Sequence, residues 1–329
     1  MSTNGVESPN YVNSYSFNLL VGHTGGTNGI EIGGAYNIGT NDVKGVQIAG
    51  VGNSIGGQLN GSQIGGLINT THGSMSGIQL SGITNISLDS AAGAQIAGLL
   101  NLSKGMSGIQ VSGGANYSEA VAGAQVSGAV NRAEEMKGVQ LAGINIARKL
   151  KGVQFGVINI SDSVVSGMPV GVINVVKKNG FISPGLEYDD VVPYRIGFRS
   201  GINGFYTVMT VGARVDEYWT YGAGLGSRIF LTKGKGVFIN PEARWENINK
   251  GKAFNDGNNH LIRLNVNFGL QILKHFYLTG GPSINFYFTN GLDEAEIPEI
   301  DLGDNFYVNQ VSGDYLYRVW MGYSLGIGF

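Results

Sequence analysis

A short repeat dominates this chain and restricts what it can fold into. From Gly29 a unit of 14–16 residues recurs, with its leading glycine at Gly29, Gly45, Gly61, Gly77, Gly93, Gly108, Gly123, Gly138, Gly152 and Gly167. An asparagine follows in every unit: Asn37, Asn53, Asn69, Asn85, Asn101, Asn116, Asn131, Asn145, Asn159 and Asn174. Most units place a glutamine two residues after the glycine, from Gln47, Gln63, Gln79 and Gln95 on to Gln154; Glu31 stands there in the first unit and Pro169 in the last. With h for an apolar residue, the consensus is G-h-Q-h-[AS]-G-h-x-N-h, then about five variable residues. A unit this short cannot bury a core alone and must stack on its neighbours. Glycine and asparagine are poor helix formers. Val46 and Ile48, Ile78 and Leu80, and Val139 and Leu141 alternate with strand period. Each unit is therefore one or two short strands and a turn.

Two architectures fit. In a β-solenoid each unit is one coil, ten coils rise roughly 48 Å at ~4.8 Å per coil, and identical side chains stack into amide ladders. The ladder residues are then Asn53, Asn69, Asn85, Asn101, Asn116 and Asn131 with Gln47, Gln63, Gln79 and Gln95. Recurrent glycines would take corners needing positive φ or close approach. In the alternative, each unit is one antiparallel strand of a large membrane barrel. Two features favour the solenoid. Gln47 and Asn53 are six apart, but Gln140 and Asn145 are five apart. A lost residue would swing Asn to the opposite face of a continuous strand, whereas at a corner it only tightens a bend. Membrane strands also carry aromatic girdles, and between Gly45 and Val176 only Tyr117 and Phe155 are aromatic.

The grammar changes near residues 177–193. Of 32 aromatic residues, 24 lie after Val192. In 261–273, Ile262, Leu264, Val266, Phe268, Leu270 and Ile272 alternate with Arg263, Asn265, Asn267, Gly269 and Gln271. Runs of this length match the ~9–11 residues that a tilted strand needs to cross a bilayer. Strands are expected near 194–200, 205–215, 219–231, 237–248, 261–273, 276–288 and 315–329. The even strand number of such barrels calls for an eighth, either about 181–190 or Tyr11–Gly22. Tyr323 and Phe329 lie on the apolar face of the final strand, and the chain stops on Phe329. That ending looks like the C-terminal signal read by the outer-membrane assembly machinery. The expected fold is thus all-β: an N-terminal strand or cap (1–28), a ten-unit β-solenoid (29–176), a linker or first barrel strand (177–193) and an antiparallel outer-membrane-type β-barrel (194–329). One N-terminal strand, ten repeats and seven C-terminal strands would instead make a single barrel of about 18 strands.

Composition removes other classes. Glycine makes up 55 of 329 residues, but without the third-position period and proline of collagen. There is no cysteine for a disulfide scaffold, and a net charge of −2 gives no pull toward nucleic acid. No apolar run is long enough for a spanning helix. The residues after Met1 do not read as a secretory signal, which fits a leader removed or replaced by Met1.

The G-x-Q-x-x-G-x-x-N units, followed by an aromatic barrel-like region, resemble the surface-repeat proteins of Gram-negative bacteria. The resemblance covers about residues 29–176. It implies a bacterial outer-membrane location and no defining enzymatic activity.

No catalytic constellation is expected. His23, His72, His260 and His275 have no metal spacing and read as turn residues. No cofactor is expected either, since Gly222–Gly226 lies in a strand pattern with no helix to follow. Arg195, Arg199, Arg214, Arg228, Glu242, Arg244, Glu246, Arg263 and Arg318 would gather on the inner face of the barrel. There they form either a salt-bridge plug or an anion-selective lining. Asp293, Glu294, Glu296, Glu299, Asp301 and Asp304 read as a solvated loop, and Arg148-Lys149-Leu150-Lys151 as a polar solenoid turn. The expected function is a non-enzymatic surface protein: a solenoid as structural or ligand-binding surface on a barrel anchor. Its partners are outer-membrane lipid, the assembly machinery and a glycan or protein ligand, without nucleic acid. The alternatives are a porin-like channel and, behind it, a polysaccharide hydrolase using acids such as Asp89, Glu119, Glu134, Glu135 and Asp162.

Overall fold

A computed structural model describes residues 5–214, 218–250, 259–273, 275–290, 306–312 and 315–329. The described residues are almost entirely strand, with one 3-10 turn at Gly5–Asn10 and no α-helix. The chain divides into two compact units, Met1–Gly167 and Met168–Phe329.

The first unit is a parallel β-solenoid. Every strand pairs with its counterpart one repeat away, so like lies on like: Gly45 on Gly61, Gln47 on Gln63, Asn53 on Asn69. Each early coil has two strands, such as Val43–Ala49 and Gly52–Ile55; from Thr84 onward they merge into runs of 12–14 residues that pass from one coil into the next. Parallel pairing of identical positions is what stacked coils require, and it excludes an antiparallel meander of about 18 strands. The residue missing between Gln140 and Asn145 is lost at the corner. Gln140 still pairs with Gln125, and Asn145 with Asn131. Val12–Asn18 pairs in parallel with Gly26–Gly33, and Val21–Thr24 with Tyr36–Gly39. The segment considered for closing the barrel is instead one more coil, lacking the motif but stacked on it.

The leading glycines sit within strand runs and not at breaks. All ten have positive φ, between 112° and 150°. A Cβ at Gly93 would also collide with the carbonyl oxygen of Gly77 in the coil below. The chain thus bends at this residue while keeping its ladder bonds, which an L side chain would forbid on both counts. One inward column is apolar: Val43, Leu59, Met75, Ala91, Met106, Val121, Met136, Leu150 and Val164 are all buried. The columns beside it are polar.

The second unit holds an antiparallel sheet. Its long strands are β1 (Gly180–Asp189), β2 (Tyr194–Ile202), β3 (Phe205–Arg214), β4 (Tyr218–Gly226), β5 (Val237–Lys250), β6 (His260–Leu273), β7 (Phe276–Asn290) and β8 (Tyr315–Gly328). Each pairs with the next. β8 also pairs with β1, from Gly185 opposite Gly328 to Asp189 opposite Ser324. Residues 180–189 therefore form a paired strand and not a linker. The strand expected over 219–231 ends at Gly226. There Arg228 N–H turns to the Asn203 carbonyl (2.6 Å), and only Ile229–Phe230 resumes pairing with β5. Ile173–Val176 belongs to this unit, where Asn174 donates to Thr207 Oγ1 (2.7 Å). Inward aromatic rings occupy the space left by inward glycines: Phe238 lies over Gly269, and Tyr277 over Gly328.

Candidate functional site

Two polar constructions fill the interiors of the two units. In the solenoid they are amide ladders. Gln63, Gln79, Gln95, Gln110, Gln125, Gln140 and Gln154 are fully buried, and each donates from Nε2 to the Oε1 of the Gln one coil earlier, at 2.8–3.0 Å. The column ends on Glu31, which takes Gln47 Nε2 at 2.9 Å, Thr27 Oγ1 at 2.8 Å and Asn18 Nδ2 at 3.4 Å. All three neighbours donate, so a carboxylate, which only accepts, suits the end of the column where an amide would not. The asparagines run the other way. Asn37 donates to Asn53 Oδ1, and so on through Asn145 to Asn159, at 2.9–3.2 Å. The same Nδ2 also donates across the interior to a backbone carbonyl in the opposite strand of the next coil, as Asn85 does to Ile96 O at 2.7 Å. Each Asn therefore ties the two strand columns together as well as stacking. Asn37 Oδ1, at the open end of the column, is buried without a partner.

In the second unit the interior is ionic. Glu242 receives Arg199 Nε at 2.7 Å and Tyr206 Oη at 2.7 Å, and pairs with Arg244. Glu187 pairs with Arg199 and receives Arg244 Nη1 at 2.6 Å. Further along, Arg195 bridges Asp189 and Glu246, the latter at 2.7 Å. Arg263 makes a charge contact with Asp189 at 2.6 Å and donates to Asp190 at 3.0 Å and Asn285 at 3.0 Å. Asp190 also accepts Trp320 Nε1 at 2.7 Å. Arg228 is held differently: its guanidinium carbon lies 4.5 Å from the Phe181 ring centre, 4.7 Å from Phe238 and 4.5 Å from Tyr277. Three aromatic faces replace carboxylates there through cation–π attraction.

Seven of the nine residues expected on the inner face are buried together. Arg214 and Arg318 are not; they are partly exposed and lie against Tyr218 and Phe306. Glu187, Asp189 and Asp190 join the seven without having been expected on the inner face; they lie in the 177–193 stretch, which the sequence leaves open as a linker or a first barrel strand. With them, five buried or nearly buried acids (Glu187, Asp189, Asp190, Glu242, Glu246) stand beside four arginines paired to them (Arg195, Arg199, Arg244, Arg263) and a fifth, Arg228, held among rings. That balance leaves no excess positive lining for anions. The missed signal was alternation: Glu187 and Asp189 share strand parity with Gly185 and Ser183 on the inner face.

The remaining candidates fall elsewhere. Arg148-Lys149-Leu150-Lys151 lies within the strand Ile144–Phe155 and not in a turn, with Arg148 paired to Glu134 (3.1 Å) and Lys149 to Glu135 (2.6 Å) of the preceding coil. His23 and His260 lie in strands and not turns, the latter between the Trp245 and Phe288 rings. The acidic stretch Asp293–Asp304 lies outside the described residues. Among the described residues no cluster of His, Cys, Asp or Glu is arranged to hold a metal ion. Comparison with protein-family models, curated proteins and solved structures finds no match.

Proposed function

We propose that this chain is a non-enzymatic outer-membrane protein of the Gram-negative surface-repeat type, anchored by an eight-stranded barrel. The observation that carries this reading is the inverted polarity of the second unit. Arg195, Arg244, Arg263 and Glu246 are among its most buried side chains, while Ile262, Leu264, Val266, Phe268, Leu270 and Ile272 are 38–57% exposed along one face of β6. Water would reverse that arrangement; hydrocarbon outside and a packed polar interior would produce it. The return of pairing from β8 to β1 supports closure, which leaves no strand edge unpaired in lipid. An eight-stranded interior is just wide enough for side chains, and here those side chains are ion pairs. No helix among the described residues is long and apolar enough to cross a membrane, so crossing would fall to strands. The inward-packed lattice argues for an anchor over a porin-like channel, and the solenoid becomes the displayed surface for a glycan or protein ligand. Tyr323 and Phe329 are exposed on the outer face of the last strand, where the assembly machinery would read them.

The test is detergent dependence combined with heat-modifiable gel mobility and planar-bilayer conductance. The protein should need detergent, migrate faster unheated than boiled, and pass no steady current. Full solubility without detergent would overturn the membrane reading; an open-channel current would overturn the plugged anchor.

A further inference from the structure

The solenoid shows the same inversion as the second unit, on a surface that a barrel anchor does not use. Two of its interior columns are amides, yet most outward positions of the consensus are apolar on both strand columns and at the corner joining them, with Ser54, Thr70, Thr84 and Arg132 as polar exceptions on the second column. Along the first strand column Ile48, Ile64, Leu80 and Ile96 are 37–41% exposed. At the corner Val51, Leu67, Ile83 and Leu99 are 36–58% exposed over four successive coils; Gly114, Ala129 and Gly143 hold the corner in the next three, before Val157. On the second strand column outward residues include Ile38, Ile68, Ile86 and Leu100. From Gly45 to Gly167 the charges fall in the variable segments (Asp89, Lys104, Glu119, Glu134, Glu135, Lys137, Arg148, Lys149, Lys151, Asp162), apart from Arg132 just after its Asn. The wedge is thus opposed by an uncharged polar side from Gly45 to Leu88 and by a charged arc from Asp89 to Asp162.

Two further observations choose the occupant. First, the backbone of the ridge is satisfied without water. Ile83 N–H bonds to Leu67 O at 3.0 Å, and Leu67 to Val51 O and Leu99 to Ile83 O repeat it at 2.7 and 3.0 Å; the preceding glycines Gly66, Gly82 and Gly98 donate to Ala49 O, Gly66 O and Ser81 O of the coil below. Corners normally belong at the wet surface because their amides need partners; these amides find theirs in the adjacent coil, so the ridge can enter hydrocarbon at no cost in lost hydrogen bonds. Second, the apolar surface is a projecting corner with two flanks over the four successive coils from Val51 to Leu99, and its first flank stays apolar beyond them through Val111, Val126, Leu141 and Phe155. A protein partner covers a bounded patch with a polar rim; a fluid solvent covers a continuous wedge. Aromatic residues mark the start of the wedge: Tyr15 and Phe17 are each 74% exposed on the outward column that continues as Ile30 and Ile32.

We infer that the solenoid lies on a lipid surface with its Val51–Leu67–Ile83–Leu99 ridge among the acyl chains and its charged arc in water. This is interfacial insertion of the kind known for amphipathic helices, performed by a β-solenoid. It rests on the membrane reading only for the presence of a bilayer.

The chain contains no cysteine, so single spin labels report position cleanly. Full-length protein in phosphatidylcholine–phosphatidylglycerol vesicles would carry a label at Ile83→Cys or Leu99→Cys on the ridge, at Glu119→Cys on the arc, or at Val266→Cys on β6. Ridge labels should be severalfold more accessible to oxygen than to a water-soluble nickel chelate, and the arc label should show the opposite ratio. Ridge labels open to the chelate would overturn the inference in favour of a water-exposed solenoid. Ridge labels shielded from both reagents would overturn it in favour of a second copy or another protein. The β6 label separates the two claims. If it meets lipid while the ridge does not, the ridge inference falls and the barrel stands. If the ridge meets lipid and β6 does not, the barrel reading falls alone.

Discussion

The solenoid and the antiparallel sheet both place polar groups inside and apolar groups outside, but with different chemistry. The solenoid uses neutral amides in columns of identical residues. The sheet uses charges, most of them matched to an opposite charge on another strand. The difference follows from what can be stacked on itself. Gln and Asn carry donor and acceptor in one side chain, so a residue on its own copy ~4.8 Å away satisfies both. An arginine on an arginine, or a glutamate on a glutamate, does neither, and like charges directly opposite repel. A repeating sequence therefore builds its polar interior from amides, and an ionic interior demands a sequence that does not repeat. Glu31 marks the limit of the rule: the single acid in the Gln column stands at its end, where only acceptors are needed.

The largest expected effect comes from the ionic interior. Arg244→Met removes the partner of both Glu187 and Glu242 and leaves two buried carboxylates short of a cation. The loss should be about 3–5 kcal/mol, read as a lower urea midpoint of the second unit's unfolding transition. Arg214→Met, at a partly exposed position outside the lattice, should change it by less than about 0.5 kcal/mol. Equal effects would mean that the buried pairs do not hold this unit together.

Next is the glycine column. Gly93→Ala places a methyl against the Gly77 carbonyl at φ +118°. Strain of about 1–3 kcal/mol and overpacking of similar size should together cost about 2–4 kcal/mol. The damage should appear as faster amide exchange in the coils on either side. Gly105→Ala is the control: it has no positive φ, and its Cβ would meet only the Ser90 side chain, at 3.3 Å. Smaller again is Glu31→Gln. It puts an NH2 group among three donors, and should cost about 1–3 kcal/mol for the groups left unsatisfied, confined to the first coils.

These tests also mark where the sequence was legible. The solenoid could be read because each residue's partner is the same residue one unit on. Spacing alone therefore gave the stacking, the Asn and Gln columns and the corner that absorbs the missing residue before Asn145. The polarity of the columns was not visible: that Gln donates toward the N-terminus and Asn away from it depends on amide orientation. In the second unit alternation located most strands, yet the ionic partners lie far apart in sequence. Glu187 meets Arg244 and Asp190 meets Arg263 only once register is fixed. Glu187, Asp189 and Asp190 therefore do not stand out as network members in a stretch that reads as a linker or a first barrel strand, whereas Arg214 and Arg318 do. The end of β4 at Gly226 was hidden for a similar reason, since Arg228 leaves the strand for three rings drawn from β1, β5 and β7.

The smallest effect tests the ion pairs on the outer face of the solenoid. Glu135 and Lys149 pair at 2.6 Å on adjacent coils, both about half exposed. The hydrogen bond from Lys149, then its charge, hold the Glu135 carboxyl below the ordinary glutamate value of 4.5, with Lys151 and Arg148 adding to the pull. A carboxylate whose folded pKa is depressed contributes stability that is fully present above the unfolded pKa and is lost as pH falls through the folded one. The pair should therefore matter at neutral pH and fade below about pH 4.5. Because solvent screens it, the contribution should be at the limit of detection and shrink further in high salt. Comparing Glu135→Gln with the parent at pH 7 and pH 3 by chemical denaturation should give nearly coincident midpoints at pH 3 and a slight deficit at pH 7. A large deficit at both would mean that Glu135 acts through packing. The solenoid's outer charge would then carry structural weight of the kind that this comparison assigns to the interior of the second unit.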